Sequence, residues 1–126
     1  MKKLPLSAYI ICKNSQSTIE AVLKSLDFCD EIIVVDSGST DKTKEICLRY
    51  QVKWFEHDFL GYGKQKRLAS SLAKNDWVLN VDSDEVVTIE LKNYLIEKFE
   101  AEIIKKYCAI SLPIKNIFMG KLISFW

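Results

Sequence analysis

Short apolar runs alternate with helical patterns along this chain, and this alternation limits the fold more than any other feature. The runs are rich in β-branched and aromatic residues, which favour strands. They predict strands at residues 6–12, 32–35, 52–56 and 77–81. Strands that are apolar throughout and separated by helices are typical of a parallel sheet covered on both faces. The sequence therefore predicts an α/β fold.

Helical periodicity fills the gaps between the predicted strands. Ser17 and Glu20 match a capping box at the start of a first helix. The buried face of that helix would carry Ile19, Val22, Leu23 and Leu26. Further helices are predicted over residues 41–50, 64–73 and 88–104, and a fifth strand over residues 107–112. At 126 residues the chain can bury one core, so we expect a single domain over residues 1–126.

Acidic residues follow two of the predicted strands at the point where each strand ends. Asp36 ends the second strand, and Asp82-Ser83-Asp84-Glu85 follows the fourth. Carboxyl ends of parallel strands share one edge of the sheet, so these acids are predicted to meet in one crevice. Crowded carboxylates repel one another unless a hard cation such as Mg²⁺ or Mn²⁺ binds them. The alternative to a metal site is an acidic turn that binds no metal. The alternative for Asp36 is an Asx turn without a ligand, and the turn-forming Gly38 lies two residues later.

Two glycines and three basic residues lie around the predicted start of the third helix: Gly61, Gly63, Lys64, Lys66 and Arg67. The free N–H groups of a helix start favour an anion, and the basic side chains could reach phosphate oxygens. The alternative is a solvated first turn with a glycine hinge. The spacing matches neither a dinucleotide fingerprint nor a Gly-Lys-Ser/Thr phosphate loop. Dehydrogenase and kinase functions are therefore disfavoured.

Charge and cysteine content narrow the class of partner and the compartment. The 18 basic and 17 acidic residues nearly cancel, which argues against nucleic acid as a partner. The four cysteines are too widely spaced for a zinc site or a compact disulfide framework, so a reducing, cytoplasmic compartment is expected. No apolar stretch approaches the ~20 residues that span a bilayer. We expect at most peripheral contact with the inner face of the membrane.

Three ordered motifs of the chain resemble the family 2 glycosyltransferases, which have the GT-A fold. The motifs are Val34-Val35-Asp36-Ser37-Gly38-Ser39-Thr40-Asp41, Gly61-Tyr62-Gly63-Lys64-Gln65-Lys66 and Asp76-Trp77-Val78-Leu79-Asn80-Val81-Asp82-Ser83-Asp84-Glu85. Within that family the likeness is to the bacterial lipopolysaccharide core and lipooligosaccharide glucosyltransferase branch. The resemblance covers essentially the whole chain. It implies a Rossmann-like, mostly parallel sheet that is incomplete at its C-terminus.

The resemblance also implies a reaction and its participants. These are the metal-dependent, inverting transfer of glucose or another hexose from a UDP-sugar to a lipopolysaccharide-core or related glycolipid or oligosaccharide acceptor. The nucleotide sugar would contact Asn14, Asp36, Gly38, Lys64, Arg67 and Asp82. Asp84 and Asp82 would bind the cation, Mg²⁺ or Mn²⁺.

The acceptor-binding part of such an enzyme is not expected within this chain. Family members continue beyond the length seen here, with the acidic general base, and residues 116–121 resemble the start of that part. No residue is therefore named as the base, and Glu85 is not assigned that role. The non-enzyme alternative is a donor-binding remnant, or one half of a complex with a separate acceptor-binding chain or another copy. An apolar tail motivates that alternative: Ile117, Phe118, Leu122, Ile123, Phe125 and Trp126.

A phosphatase is the less favoured enzyme class. Asp82-Ser83-Asp84-Glu85-Val86 also fits the nucleophile signature of haloacid-dehalogenase-like phosphatases. In that family the signature follows the first strand, whereas here it follows the fourth predicted strand. Beyond Glu102 the sequence contains no acidic residue that could complete such a site.

Overall fold

Strands and helices alternate in the predicted order. The computed structural model describes residues 3–101, 109–111 and 118–121. The elements are β1 (Leu4–Cys12), α1 (Ile19–Ser25), β2 (Cys29–Asp36), α2 (Thr43–Cys47), β3 (Lys53–Glu56), α3 (Tyr62–Ser71), β4 (Trp77–Asn80), α4 (Ile89–Glu100), β5 (Ala109–Ser111) and β6 (Phe118–Lys121).

The strands form one sheet in the order β3-β2-β1-β4-β6-β5. The four strands from β3 to β4 are parallel. The other two are antiparallel, because β6 pairs with β4 and β5 pairs with β6. The predicted α/β class and mostly parallel sheet are confirmed. The predicted fifth strand exists, but β6 separates it from β4.

Alternate residues of β1 face the two layers of helices, as the period of two in a strand requires. Leu6, Ala8 and Ile10 belong to a buried cluster shared with α1 and α4. Tyr9 belongs to a smaller cluster on the opposite face, which includes Ala69 of α3. Each large apolar side chain buried in this way contributes about 1.5–3 kcal/mol. The two clusters fix the sheet between its two layers of helices.

The predicted capping box at the start of α1 is wrong. Thr18 is the N-cap residue, and its side chain makes no cap hydrogen bond. The Glu20 carboxylate does not return to the helix start but accepts a hydrogen bond of 2.9 Å from the Tyr50 hydroxyl. Long-range contacts have therefore overridden the local pattern.

The other helix ends differ from the predictions by a few residues. Helix α2 begins only at Thr43, because the Asp41 carboxylate accepts hydrogen bonds from both the backbone N–H and the hydroxyl of Thr43. Helix α4 begins after Thr88, whose hydroxyl caps it by accepting from the Leu91 N–H at 3.2 Å. The predicted end of α4 at residue 104 lies outside the described residues.

Strand β1 is where the direction of chain connection reverses. Its neighbours are β2 on one side and β4 on the other. The connection to β2 runs through α1 on one face, whereas α3, which precedes β4, packs on the other face. Such a reversal leaves a crevice at the carboxyl ends of the strands. Over the described part of the chain, no helix is long and apolar enough to cross a membrane.

Most of the apolar tail singled out in the sequence lies outside the described residues. Only Phe118 falls within them, as the first residue of β6. The proposed use of that tail as an interface stays a prediction.

Candidate functional site

The loops that follow β1, β2 and β4 line a cleft at the carboxyl edge of the sheet. One part of the cleft, here called the aromatic cavity, has a volume of about 350 Å³, and its lining includes Phe59, Tyr62 and Ser37. The second part, here called the acidic cavity, has a volume of about 380 Å³ and is lined by Asp82 and Asp84, among others. The two cavities are neighbours, because Ile11, Tyr62 and Ser83 line both.

Three carboxylates gather in the segment Asp82-Ser83-Asp84-Glu85, here called the acidic turn. One carboxylate oxygen from each of Asp82, Asp84 and Glu85 lies within 4.8 Å of the others. The turn is closed by a 3.0 Å hydrogen bond from the Glu85 N–H to the Asp82 carbonyl. The ion pairs in the described part of the chain involve other carboxylates. A set of hard oxygen ligands that form none of these ion pairs fits Mg²⁺ or Mn²⁺.

Asp36 lies at the end of β2 but is 98% buried and lines neither cavity. One carboxylate oxygen accepts hydrogen bonds from the Gly38 N–H at 3.0 Å and the Ser39 N–H at 2.7 Å. The other accepts from the Ser39 hydroxyl and from the Cys12 thiol at 3.4 Å. Burial raises the pKa of Cys12, and the negative Asp36 raises it further, so the thiol keeps its proton and can donate it.

These hydrogen bonds make Asp36 the anchor of the turn that follows β2. Gly38 in this turn has φ of +108°, which a glycine adopts without strain. Ser37, the residue after Asp36, lines the aromatic cavity. The Asx turn left open by the sequence is therefore present. A direct contact between Asp36 and a nucleotide stays a prediction.

Asn14 joins the loop after β1 to the loop after β2. Its amide oxygen accepts from the Thr40 N–H, and its own N–H donates to the Ser39 hydroxyl, both at 2.7 Å. Its φ of +52° lies in the left-handed region that asparagine tolerates better than most residues. Asn14 also lines the acidic cavity, and its contact with the nucleotide sugar stays a prediction.

The three basic residues near the start of α3 do not share one position. Lys66 lines the acidic cavity together with Asp82 and Asp84. Lys64 and Arg67 are exposed on the same helix and line neither of the two cavities described here. Tyr62 and Lys66 are four residues apart, so they lie on one face of α3, and both border the acidic cavity. The sequence alone does not single out Lys66, because the position of Tyr62 at the cavity is known only from the structure.

Gln65 is a residue of this region whose role the sequence did not indicate. Its side chain is 99% buried, and its amide oxygen accepts a 3.1 Å hydrogen bond from the Leu60 N–H. Its amide nitrogen donates to the His57 carbonyl at 3.4 Å. Gln65 thereby holds the segment that carries Phe59, whose ring packs edge-on against Tyr62 with centroids 5.1 Å apart.

Comparison with known proteins gives consistent matches. The model of the family described as "Glycosyl transferase family 2" matches residues 7–110. An uncharacterized glycosyltransferase of Rickettsia bellii is 39% identical over 110 residues, which is 86% of this chain and 37% of that protein. The lipopolysaccharide core biosynthesis glycosyltransferase LpsC of Rhizobium meliloti is 36% identical over 104 residues, 79% of this chain and 38% of that protein. The chain thus spans about two fifths of these relatives.

Solved structures give the same result. The structure of S. aureus TarS 1-349 in complex with UDP-GlcNAc has a TM-score of 0.66 and 30% identity, covering 86% of this chain and 32% of that chain. Glucosyl-3-phosphoglycerate synthase of Mycobacterium tuberculosis, in complex with Mn²⁺, UDP-glucose and glycerol 3-phosphate, has a TM-score of 0.56 and 26% identity. That match covers 62% of this chain and 33% of that chain. These likenesses confirm the predicted GT-A fold.

Proposed function

Because the chain belongs to glycosyl transferase family 2, we propose that it forms the donor-binding part of a glycosyltransferase. The donor is a UDP-hexose, a divalent cation is required, and the acceptor is a lipopolysaccharide-core or related glycan. The UDP-GlcNAc complex of TarS supports the class of donor. The name of LpsC supports the class of acceptor. Inversion at the transferred sugar remains an expectation from the family resemblance.

The observation that carries this proposal is the composition of the acidic cavity. Asp82 and Asp84 line it opposite a single basic residue of α3, Lys66. The two aspartates would hold Mg²⁺ or Mn²⁺, and the nearby carboxylate of Glu85 would support them. When bound, the cation would neutralise charge that develops on the departing diphosphate. The Lys66 ammonium would attract the same diphosphate directly. The Mn²⁺ complex of the mycobacterial synthase supports the choice of cation.

The aromatic cavity would receive the nucleoside end of the donor. Phe59 and Tyr62 present ring surfaces there, and Ser37 and Lys13 supply polar groups. An apolar site with a few polar groups suits a flat heterocycle attached to a ribose. The acidic cavity lies next to it, so nucleoside and diphosphate would lie side by side along the cleft.

No residue of this chain is proposed as the general base, as part of the acceptor site or as the group that selects the sugar.

We propose a cytoplasmic location at the inner face of the membrane, which the free, buried thiols of Cys12, Cys29 and Cys47 support. A phosphatase has no comparable support, because the acidic turn follows β4 rather than the first strand.

Calorimetry of UDP binding with Mn²⁺ or with a chelator tests the proposal. We expect Mn²⁺ to tighten UDP binding and Asp84→Asn to abolish that gain. The variant loses the charge of a metal ligand, while the size of the side chain stays the same. Asp76→Asn is the matched control, since Asp76 is an exposed aspartate at the opposite end of β4. It should bind UDP and Mn²⁺ like the unmodified chain.

A thermal-shift measurement checks the same point independently. A ligand at 100 times its dissociation constant stabilises the folded state by about 2.7 kcal/mol. UDP with Mn²⁺ should therefore raise the melting temperature clearly more than UDP with chelator. Equal UDP affinity in both conditions would remove the metal from the proposal.

A further inference from the structure

We propose that Thr18 and Ser15 are positioning residues for the acidic turn. Their hydroxyl groups hold Ser83, the residue between the two aspartates, so that the three carboxylates keep an arrangement that can bind a divalent cation. This inference rests on the proposed function, because it concerns the same metal site. It assigns a role to two neutral residues that line the acidic cavity beside the two aspartates.

Two hydrogen bonds join the loop after β1 to the acidic turn. The Thr18 hydroxyl donates to the Ser83 carbonyl at 2.8 Å. The Ser15 hydroxyl donates to the Ser83 hydroxyl at 3.0 Å. The partners are 65 and 68 residues apart in sequence, so neither contact arises from local chain geometry.

The position of Thr18 shows that its hydroxyl serves the turn and not its own helix. Thr18 is the N-cap residue of α1, where a threonine hydroxyl ordinarily accepts a hydrogen bond from a free N–H of the first turn. No such bond forms at Thr18. At the start of α4, Thr88 makes that bond to the Leu91 N–H. Two of the helices in the described residues have a threonine as N-cap, and the one beside the acidic turn does not cap its helix.

The two hydrogen bonds from Thr18 and Ser15 to Ser83, here called the tether, are held in place from the loop after β2. The Ser15 N–H donates to the Thr43 hydroxyl at 2.8 Å, and that hydroxyl donates to the Asp41 carboxylate at 2.6 Å. Thr43 is fully buried, and Ser15 is nearly so. A hydroxyl fixed on both sides can hold its partner in one place. The acidic turn is therefore connected, through Ser15, to the start of α2.

Electrostatic repulsion explains why the turn needs such a tether. Three carboxylates within 4.8 Å repel one another until a cation binds, so the free turn tends to open. Within the turn, the bond from the Glu85 N–H to the Asp82 carbonyl resists opening. The tether further resists opening of the turn at Ser83. Less free energy is then needed to bring the three carboxylates together when the cation binds.

Electron paramagnetic resonance of free Mn²⁺, in the presence of saturating UDP, measures the effect on metal binding. We expect Thr18→Val to weaken Mn²⁺ affinity by about 3- to 10-fold, the range for the net contribution of one neutral hydrogen bond. Thr18→Ser keeps the hydroxyl and should restore the affinity. Ser15→Ala should weaken binding in the same direction.

Ser25→Ala provides the matched control. The Ser25 hydroxyl accepts a 3.0 Å hydrogen bond from the Val87 N–H, and so holds the same loop just beyond the acidic turn. This variant should lose thermal stability but keep its Mn²⁺ affinity. Equal weakening in Thr18→Val and Ser25→Ala would overturn the inference, because general loosening of the loop would then suffice.

The outcomes also separate this inference from the proposed function. If the unmodified chain binds no Mn²⁺ with UDP, the proposed metal site itself is wrong, and the inference falls with it. If the unmodified chain binds Mn²⁺ and Thr18→Val binds it equally well, only the positioning role is wrong.

Discussion

Replacement of Asp36 distinguishes two roles for its carboxylate: anchoring the turn after β2 and contacting the nucleotide directly. In the structure its carboxylate accepts four hydrogen bonds, from two N–H groups, a hydroxyl and a thiol. We therefore expect Asp36→Ala to destabilise the fold by leaving the Gly38 and Ser39 N–H groups without their acceptor. Asp36→Asn should be milder, because the amide oxygen can still accept from both N–H groups, and the amide nitrogen can donate to the Ser39 hydroxyl.

The size of each effect follows from the bonds lost. Each partly buried N–H group left unpaired costs about 1–3 kcal/mol, so the loss of the acceptor for two of them in Asp36→Ala should lower the free energy of unfolding by roughly 2–6 kcal/mol. Asp36→Asn loses mainly the contribution of the charge, about 1–2 kcal/mol. Asp84→Ala should change the free energy of unfolding little, because the exposed Asp84 carboxylate lies among repelling neighbours.

Urea unfolding followed by circular dichroism measures these differences through the midpoint, provided that the slope is unchanged. UDP affinity is then measured for each folded variant. A loss below about 1 kcal/mol in Asp36→Ala, together with abolished UDP binding, would refute the anchoring role. The carboxylate would then act on the ligand directly.

Two further predictions concern charged residues at opposite ends of the sheet. Burial alone would raise the pKa of Glu31, but hydrogen bonds from Lys53, from the Ser7 hydroxyl and from a backbone N–H lower it below its ordinary value. Glu31 therefore stabilises the fold fully above the unfolded-state pKa, and this is lost as the pH falls through the lower folded-state pKa. Glu31→Gln should remove that part of the acid dependence and cost about 1–3 kcal/mol at pH 7 in urea unfolding; an unchanged pH profile would contradict this. At the cleft, Lys66→Gln should weaken UDP binding several-fold while leaving uridine binding unchanged. Arg67→Gln should leave both affinities unchanged. Calorimetry in which Arg67→Gln weakens UDP binding more than Lys66→Gln does would favour Arg67, the residue predicted from the sequence.

The sequence was sufficient to predict where the acidic residues lie. β-branched runs mark the strands clearly, and the carboxyl ends of parallel strands share one edge of the sheet. Asp82 and Asp84 could therefore be assigned to a crevice from the sequence alone. Asp36 was also placed at the correct strand end, but its burial could not be foreseen, because the donors that surround it come partly from the neighbouring strand at Cys12.

The orientation of α3 was harder to predict. Lys64, Lys66 and Arg67 lie within one turn of helix, and the sequence does not determine which of them faces the cleft. The structure assigns Lys66 to the acidic cavity, which it lines together with Tyr62, four residues earlier on α3. The capping box at Ser17 failed for a related reason. Its pattern is local, but the Glu20 carboxylate accepts from the Tyr50 hydroxyl, 30 residues away, and does not return to the helix start.

The hydrogen bonds that unite the three loops all fall between residues 12 and 88. The three loops at the mouth of the cleft are thus held together by contacts within this N-terminal part of the chain. In relatives more than twice as long, the later sequence is then free to change without disturbing these hydrogen bonds. Under the proposed function, one donor-binding unit is thereby kept while the acceptor-binding sequence changes.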